Sequence, residues 1–218
     1  MNNPNKICMV SIHTENFNSL ADITWNQNKM LYCQRKGYDS VLQVQSAPYE
    51  EKHKYLLIKS LVDRRKYDYI FWCDCDTLVT NFSKNIEDVI DPNFDFVLAS
   101  DCNGLNLGVF LLRVSEKGIR FLDYIINNID SVKSRYHLGE GQTMVQDLYE
   151  NGKFLDTIKM IPQRLINSYA RPDPTPNDKL GTDSNWKKGD FILHIPGYGP
   201  DLHHIRMQHF SHFIKEVI

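Results

Sequence analysis

The sequence has no strong excess of charge of either sign: 25 Lys and Arg stand against 27 Asp and Glu, a formal charge of -2. A chain so balanced has no overall pull on nucleic acid or an anionic membrane surface, so any anionic ligand must be held by local groups. No apolar run approaches the roughly 20 residues that a membrane helix needs, and the stretch from Met1 to Lys6 is too polar for a signal peptide. No membrane segment is therefore expected in this chain. The five cysteines are odd in number and include no C-x-x-C pair, which suggests neither a disulfide framework nor a zinc site and points to a reducing, cytoplasmic compartment. A G-x-x-x-x-G-K-[ST] phosphate loop, internal repeats and low-complexity tracts are all missing.

What is present suits one core. At 218 residues, 42% hydrophobic, the chain is long enough to bury one, and a single domain over residues 1–218 is expected, complete in itself or part of a longer protein. Lys6 to Ile12 reads as a first strand, with His13, Thr14, Glu15 and Asn16 as the loop after it. A helix is expected from Asn18 or Ser19 to Lys36, ended by Gly37, then a strand over Ser40 to Gln45. A second helix over Lys52 to Arg65 and an apolar strand over Tyr69 to Trp72 complete a β-α-β-α-β order. Such alternation predicts a largely parallel sheet covered by helices, with ligands beyond the carboxyl ends of the strands. Further on, strands are expected at Phe96 to Ala99, Val109 to Val114 and Phe191 to Ile195. Helices are expected at Ser115 to Ile129, Gly141 to Tyr149 and Ile205 to Val217. The turn formers from Arg171 to Asp178 predict either a surface connection or a mobile active-site loop, the second being slightly favoured.

Asp74 and Asp76 follow the third strand. Side chains alternate along extended chain, so two acids one residue apart can point the same way and share a hard cation such as Mn²⁺ or Mg²⁺. An ion of this kind bridging carboxylates to a diphosphate offsets charge on a leaving group. With 19 aspartates in the chain, chance alone gives roughly 1.6 such pairs, so the spacing is informative only because an apolar strand delivers it. The bland reading is a pair of acids capping a turn.

The segment from Tyr69 through Asp74-Cys75-Asp76 to Asn81 resembles the metal-binding strand of GT-A glycosyltransferases, in particular the xyloglucan xylosyltransferase and α-1,6-mannosyl/galactosyltransferase family. Other pieces follow in that family's order: Trp25-Asn-Gln-Asn-Lys-Met, Lys54-Tyr-Leu-Leu-Ile-Lys-Ser-Leu, Gly104-Leu-Asn-Leu-Gly-Val-Phe-Leu-Leu-Arg, Gly141-Gln142, and Gly189-Asp-Phe-Ile-Leu-His-Ile-Pro-Gly. The resemblance implies an α/β fold of the GT-A, nucleotide-diphospho-sugar transferase type: a Rossmann-like mixed sheet with helices on both faces. It implies that Asp74, Asp76 and His194 hold Mn²⁺ or Mg²⁺. His13, Thr14, Lys54, Cys75, Asn106 and Gly197 would bind the donor, a UDP-sugar first and a GDP-sugar second. Gln142 would sit near the reacting carbon and Asp101 against sugar hydroxyls. Transfer to a saccharide or glycan acceptor with retention follows from the same resemblance. The family's closing lysine is replaced by Gly199, so Lys187, Lys188 or Arg206 is expected to supply that charge, and the family's N-terminal membrane anchor has no counterpart in this sequence.

Two other functions compete. Asp74-Cys-Asp-Thr-Leu-Val also looks like the D-x-D-x-[TV] motif of haloacid-dehalogenase-type phosphatases, with Asp74 as nucleophile and Lys188 and Asp190 as later partners. A catalytically silent nucleotide-sugar-binding module is the other. The histidines His203, His204, His209 and His212 raise a second metal site against a helical surface with scattered histidines. Phe71 and Trp72 read as core, and Cys73, Cys75 and Cys102 as inert packing.

Overall fold

The computed structural model describes residues 5–46, 48–135, 138–170, 175–197 and 200–217. Strand β1 (Ile7–Thr14) sends Cys8, Val10 and Ile12 into one apolar cluster and Ile7 and Met9 into another on the opposite face. Strand β3 (Tyr69–Cys73) divides in the same way, Ile70 and Trp72 against Tyr69, Phe71 and Cys73. Burial on both faces is why these strands read as continuous apolar runs.

β1 pairs in parallel with β3 and with β2 (Asp39–Gln45). Beyond β3 come β6 (Gly104–Arg113), β5 (Phe96–Asp101) and β7 (Ile158–Ile161), giving the order β2-β1-β3-β6-β5-β7. β6 runs antiparallel to both neighbours and the remaining pairs are parallel, so the sheet is mixed, as expected. The chain leaves β1 to one side for β2 and to the other for β3, and ligands of open α/β sheets bind at such a switch point.

Helices cover both faces. Residues 18–36 run continuously through α1 (Asn18–Ala21), a π-helical segment (Asp22–Lys29) and α2 (Met30–Lys36). Gly37, at φ 76°, ends the run where expected, because only a left-handed residue lets Tyr38 N–H return to the Cys33 carbonyl. This helix buries Trp25, Tyr32 and Cys33 on one face of the sheet. On the other lie α3 (Lys52–Val62), α4 (Glu116–Asn128) and α5 (Glu140–Glu150) with Ile58, Leu61, Phe121, Ile125 and Val145. α4 begins at Ser115, whose hydroxyl caps Gly118 N–H.

A second, small sheet places β9 (Ile192–His194) between β4 (Thr77–Val79) and β8 (Ser168–Tyr169). The last helix, α6 (Pro200–Val217), starts five residues earlier than the sequence pattern suggests. Its Phe210 packs with Leu20, Leu78, Leu193 and Ile195. Of the expected loop, residues 171–174 lie outside the described residues, and Thr175 to Asp178 form no regular element. None of the five cysteines forms a disulfide.

Candidate active site

Immediately after β3 the chain turns back: Thr77 donates both its N–H and its hydroxyl to the Asp74 carbonyl, at 3.2 and 2.7 Å. Asp74 and Asp76 thus face a common space from a tight turn and not, as the spacing suggested, from extended chain. His194 reaches the same space through the small sheet. It pairs with Thr77 across an antiparallel ladder, and Ile195 N–H bonds the Asp76 carbonyl at 3.2 Å. One ligand atom from each of Asp74, Asp76 and His194 lies within 4.8 Å of the others.

Each acid has its own cation. Asp74 Oδ1 accepts from the Trp72 indole N–H at 2.7 Å and lies 3.2 Å from Lys54 Nζ, which sits 4.9 Å above the same indole ring. Trp72 is core, as expected, but its one polar atom also aims an acid. Asp76 Oδ2 takes a 2.6 Å bond from Arg206, whose guanidinium also donates to the Ile195 and Gly197 carbonyls. Burial works against ionisation of Asp76, yet its electrostatic neighbours, the Arg206 guanidinium among them, hold its carboxyl below the usual carboxylate range.

The back of the turn is clamped by residues whose part the sequence reading did not anticipate. Thr24 donates to the Cys75 carbonyl at 2.7 Å and Lys29 to that of Asp74 at 3.1 Å, while Asn28 bonds both the N–H and the carbonyl of Val79. The wide π turn brings positions 24, 28 and 29 to one flank, consistent with the tendency of such turns to occur at functional sites. Burial lowers the Lys29 ammonium's affinity for its proton. A signal was available: three polar residues on the inward flank of a helix otherwise packed through Trp25 and Tyr32.

The front is shaped by a bulge in β6. The register changes between Leu98 and Ala99, whose partners are Phe110 and Asn106, so residues 107–109 are extra and lean towards β3. They present backbone to the site. The Leu107 carbonyl takes Lys54 Nζ at 3.0 Å, the Gly108 carbonyl takes Asp74 N–H at 2.7 Å, and Leu107 N–H faces Gln142 Oε1 at 3.5 Å.

Other expected site residues fall as follows. His13, at the end of β1, bonds Asn18 through Nε2 at 2.9 Å, and its buried Nδ1 has no partner among the described residues. Thr14 is next to it. Cys75 is half-buried in the turn, and burial pushes its thiol up to about 12. Gly197 is exposed and gives its carbonyl to Arg206. Asp101 and Asn106 are instead enclosed, at 2% and 6% exposure. Both Asp101 oxygens are engaged, by Asn103 N–H, Gly104 N–H, the Tyr169 hydroxyl and the Asn106 amide. Lys187 and Lys188 are exposed, the former paired with Asp183, whereas Arg206 touches the acid turn. Gly199 lies outside the described residues.

One more acid stands close by. Glu51 accepts Gly141 N–H at 2.9 Å at the start of α5, and burial raises its carboxyl pKa above the ordinary value.

The donor set fits a hard divalent ion: two carboxylates and an imidazole, the histidine inclining the choice towards Mn²⁺ over Mg²⁺. His194 Nδ1 is bonded to Asn167 Oδ1 at 2.7 Å, and Nε2 faces Asp76 Oδ1 at 3.2 Å. With its proton on Nδ1, the neutral ring sets a lone pair against a carboxylate oxygen, an arrangement that a cation between them makes favourable. The phosphatase pattern finds less support, since Asp190 is gripped by Arg164 through two bonds of 2.7 and 3.0 Å and the acid pair follows the third strand, not the first. Among the described residues the Asp-Asp-His group is the one cluster of metal-ligand type. The side chains of His203 and His204 lie outside that description, and His209 and His212 are exposed.

A Rossmann-like mixed sheet whose third strand ends in an acidic turn facing a histidine from a late strand is the GT-A architecture of nucleotide-diphospho-sugar glycosyltransferases. A solved structure of a glycosyltransferase involved in glycosylation of the major capsid of PBCV-1 superposes with a TM-score of 0.74 at 16% identity, over 95% of this chain and 99% of that one. The chain belongs to the galactosyl transferase GMA12/MNN10 family, which matches residues 91–201. It is 24% identical over 80% of its length to an uncharacterized alpha-1,2-galactosyltransferase of Schizosaccharomyces pombe. To a probable alpha-1,6-mannosyltransferase of Saccharomyces cerevisiae it is 22% identical over 78%. It spans 63% and 54% of the lengths of these two relatives. No described helix is long and apolar enough to cross a membrane.

Proposed function

We propose that the chain forms one catalytic domain that transfers a hexose from a nucleotide-sugar diphosphate to a saccharide acceptor, with a divalent cation held by Asp74, Asp76 and His194. The observation that carries this reading is the convergence of those three ligand atoms within 4.8 Å, at the carboxyl end of β3 beside a topological switch point. Bound there, the ion would supply positive charge to the diphosphate of the leaving nucleotide. Arg206, reaching that turn from α6, replaces the family's closing lysine as the second positive group near that diphosphate. His13 and Thr14 line the nucleotide, a role supported by the unpartnered Nδ1 of His13.

The relatives' names speak of α-linked galactose and mannose. UDP-galactose and GDP-mannose carry their sugars in α linkage, so α products correspond to retention, and UDP is the first donor base to test. Gln142, which adjoins the Leu107 peptide that Lys54 also holds, is the residue we assign to the donor sugar, a reading its nearness to that peptide supports. Five cysteines that form no disulfide accord with a reducing, cytoplasmic compartment.

The test is a thermal-shift screen of UDP, GDP and their common hexose conjugates with and without Mn²⁺. A ligand that binds only the folded state at about 100 times its Kd stabilises by about 2.7 kcal/mol. The expected result is a Mn²⁺-dependent shift with one nucleotide that Asp76→Asn abolishes. A shift with Mg²⁺ and a phosphate analogue but none with any nucleotide would overturn the proposal and favour a phosphatase with Asp74 as nucleophile.

A further inference from the structure

The hydrogen bonds behind His194 have a direction that can be read without ambiguity, starting from a backbone group. Gly108 N–H is an obligate donor 2.8 Å from the Asn106 side chain, so the atom it meets is Oδ1. Asn106 Nδ2 then faces Asp101 Oδ2 and the Tyr169 hydroxyl, each at 2.8 Å. Oδ1 of Asn106 also lies 2.8 Å from the Asn167 amide, and only Nδ2 of Asn167 can donate to it. Asn167 is left with Oδ1 pointing at His194 Nδ1, 2.7 Å away, and an acceptor there requires the ring proton. Asp101, Asn106, Asn167 and His194 are 2%, 6%, 0% and 2% exposed, so solvent does not scramble the sequence.

We infer that Asp101, Asn106 and Asn167 are a one-way relay that holds the neutral His194 ring as its Nδ1–H tautomer, with the Nε2 lone pair aimed at the acid turn. The three are positioning residues for the metal ligand; Asp101 and Asn106 act through His194 and not by touching the sugar. Asp101 anchors the relay because its carboxylate accepts four donors and donates none. The ring is held sideways as well. Tyr169 meets it edge-on with centroids 5.7 Å apart, and Gly108 leaves no room for a side chain beside it. Histidine ligands of metals commonly donate their other nitrogen to such a partner, which fixes the tautomer and raises ligand basicity.

The inference rests on the metal-site reading, so the experiment separates the two. Metal-free protein labelled with ¹⁵N-histidine is observed by NMR at a pH well above the ordinary histidine range, with the His194 signals assigned by their loss in His194→Gln. Wild type is expected to show Nδ1 protonated and Nε2 bare. Asn167→Leu should return the ring to Nε2–H, whereas Asn167→Asp, which keeps the acceptor, should retain Nδ1–H. Mn²⁺ binding followed by electron paramagnetic resonance should weaken about 10- to 100-fold in Asn167→Leu and less in Asn167→Asp. A proton on Nε2 of neutral wild-type His194, or an unchanged tautomer in Asn167→Leu, overturns the relay. If Asn167→Leu fails to fold, the wild-type tautomer and the Asn167→Asp variant decide the matter. An Nδ1–H ring in a protein that binds no Mn²⁺ even with nucleotide removes the metal reading and leaves the relay standing.

Discussion

A methyl group at position 108 would intrude on the space that the His194 ring occupies. A Cβ built there would stand 2.9 Å from Nδ1 and 3.0 Å from Asn106 Oδ1, and closer still to Cε1. Ordinary contact begins at 3.4 Å, so the ring must withdraw by 3.4 − 2.9 = 0.5 Å at Nδ1 and by more at Cε1. Metal–ligand distances tolerate about 0.2 Å, so a retreat of this size takes Nε2 out of reach of an ion shared with Asp74 and Asp76. Gly108→Ala is therefore expected to weaken Mn²⁺ binding by about 10- to 100-fold, in the range found when the support of a ligand is lost. The overpacking itself costs about 1–3 kcal/mol, equivalent to roughly 2–4 °C in Tm per kcal/mol for a chain of this size. Stability loss alone must be separated from ligand displacement. Gly118→Ala serves, because its Cβ would meet the Arg113 carbonyl oxygen at the start of α4, in a different part of the fold. Isothermal titration of both variants with Mn²⁺ and UDP, alongside thermal melts, is the assay. Wild-type metal affinity in Gly108→Ala, or equal losses of affinity in both variants, would refute the account of how His194 is held.

Two further changes address the charges around the turn. Burial raises the Glu51 carboxyl pKa from its ordinary value of 4.5, against the opposing pull of Lys54 and Gly141 N–H. The folded state then holds this proton more readily than the unfolded state, so stability falls as pH rises from the unfolded towards the folded value and stays lower above it. Glu51→Gln keeps an oxygen for Gly141, and melts should show it more stable than wild type at neutral pH and indistinguishable at low pH; a difference that does not vary with pH would contradict this. Arg206→Met should lower kcat for metal-stimulated donor hydrolysis by about 100-fold or more, the size of effect seen when a group stabilising developing charge is lost. Arg206→Lys should recover most of it, and equal rates in the three proteins would exclude the role.

The strands and helices that were legible in the sequence are those with enough length for a period to declare itself. The apolar run at Tyr69 to Cys73 and the helix ended by Gly37 are cases where local chemistry and tertiary packing agree. β4, β7 and β8 are two to four residues long, too short for any pattern, and exist because neighbouring chain pairs with them. The acid pair was readable as a motif, but its geometry was not: a turn closed by Thr77 does the work expected of strand alternation. Asp101 and Asn106 illustrate the same limit. Their type and place suggested ligand contact, and only the fold reveals that a carboxylate and an amide so near the site are spent on each other and on backbone. The polarity of Lys29 and Asn28 on an inward flank could mark them as unusual but not as clamps, because their partners, the carbonyls of Asp74 and Val79, carry no side-chain signature.

The charges at the site imply an order of assembly. Asp74 and Asp76 are already matched one for one by Lys54 and Arg206, so the acid turn with its cations is close to neutral before any ion arrives. A divalent cation entering alone gains little from such a neutral site and must share its ligands with two resident cations. A nucleotide-sugar diphosphate arriving alone meets two cations already turned towards carboxylates. Together they cancel: the ion adds two positive charges and the diphosphate two negative ones, leaving Lys54 and Arg206 near phosphate oxygens. Metal and donor should therefore bind with positive coupling, which by linkage is the same whichever is added first. Titration of Mn²⁺ with and without saturating UDP is expected to give affinities differing about tenfold or more, in the range of ordinary coupling energies. Arg206→Met, which unbalances the site towards negative charge, should tighten Mn²⁺ binding without nucleotide and reduce the coupling. Equal Mn²⁺ affinity with and without UDP would mean that the resident cations do not compete with the ion, and that Asp74 and Asp76 are free to bind it on their own.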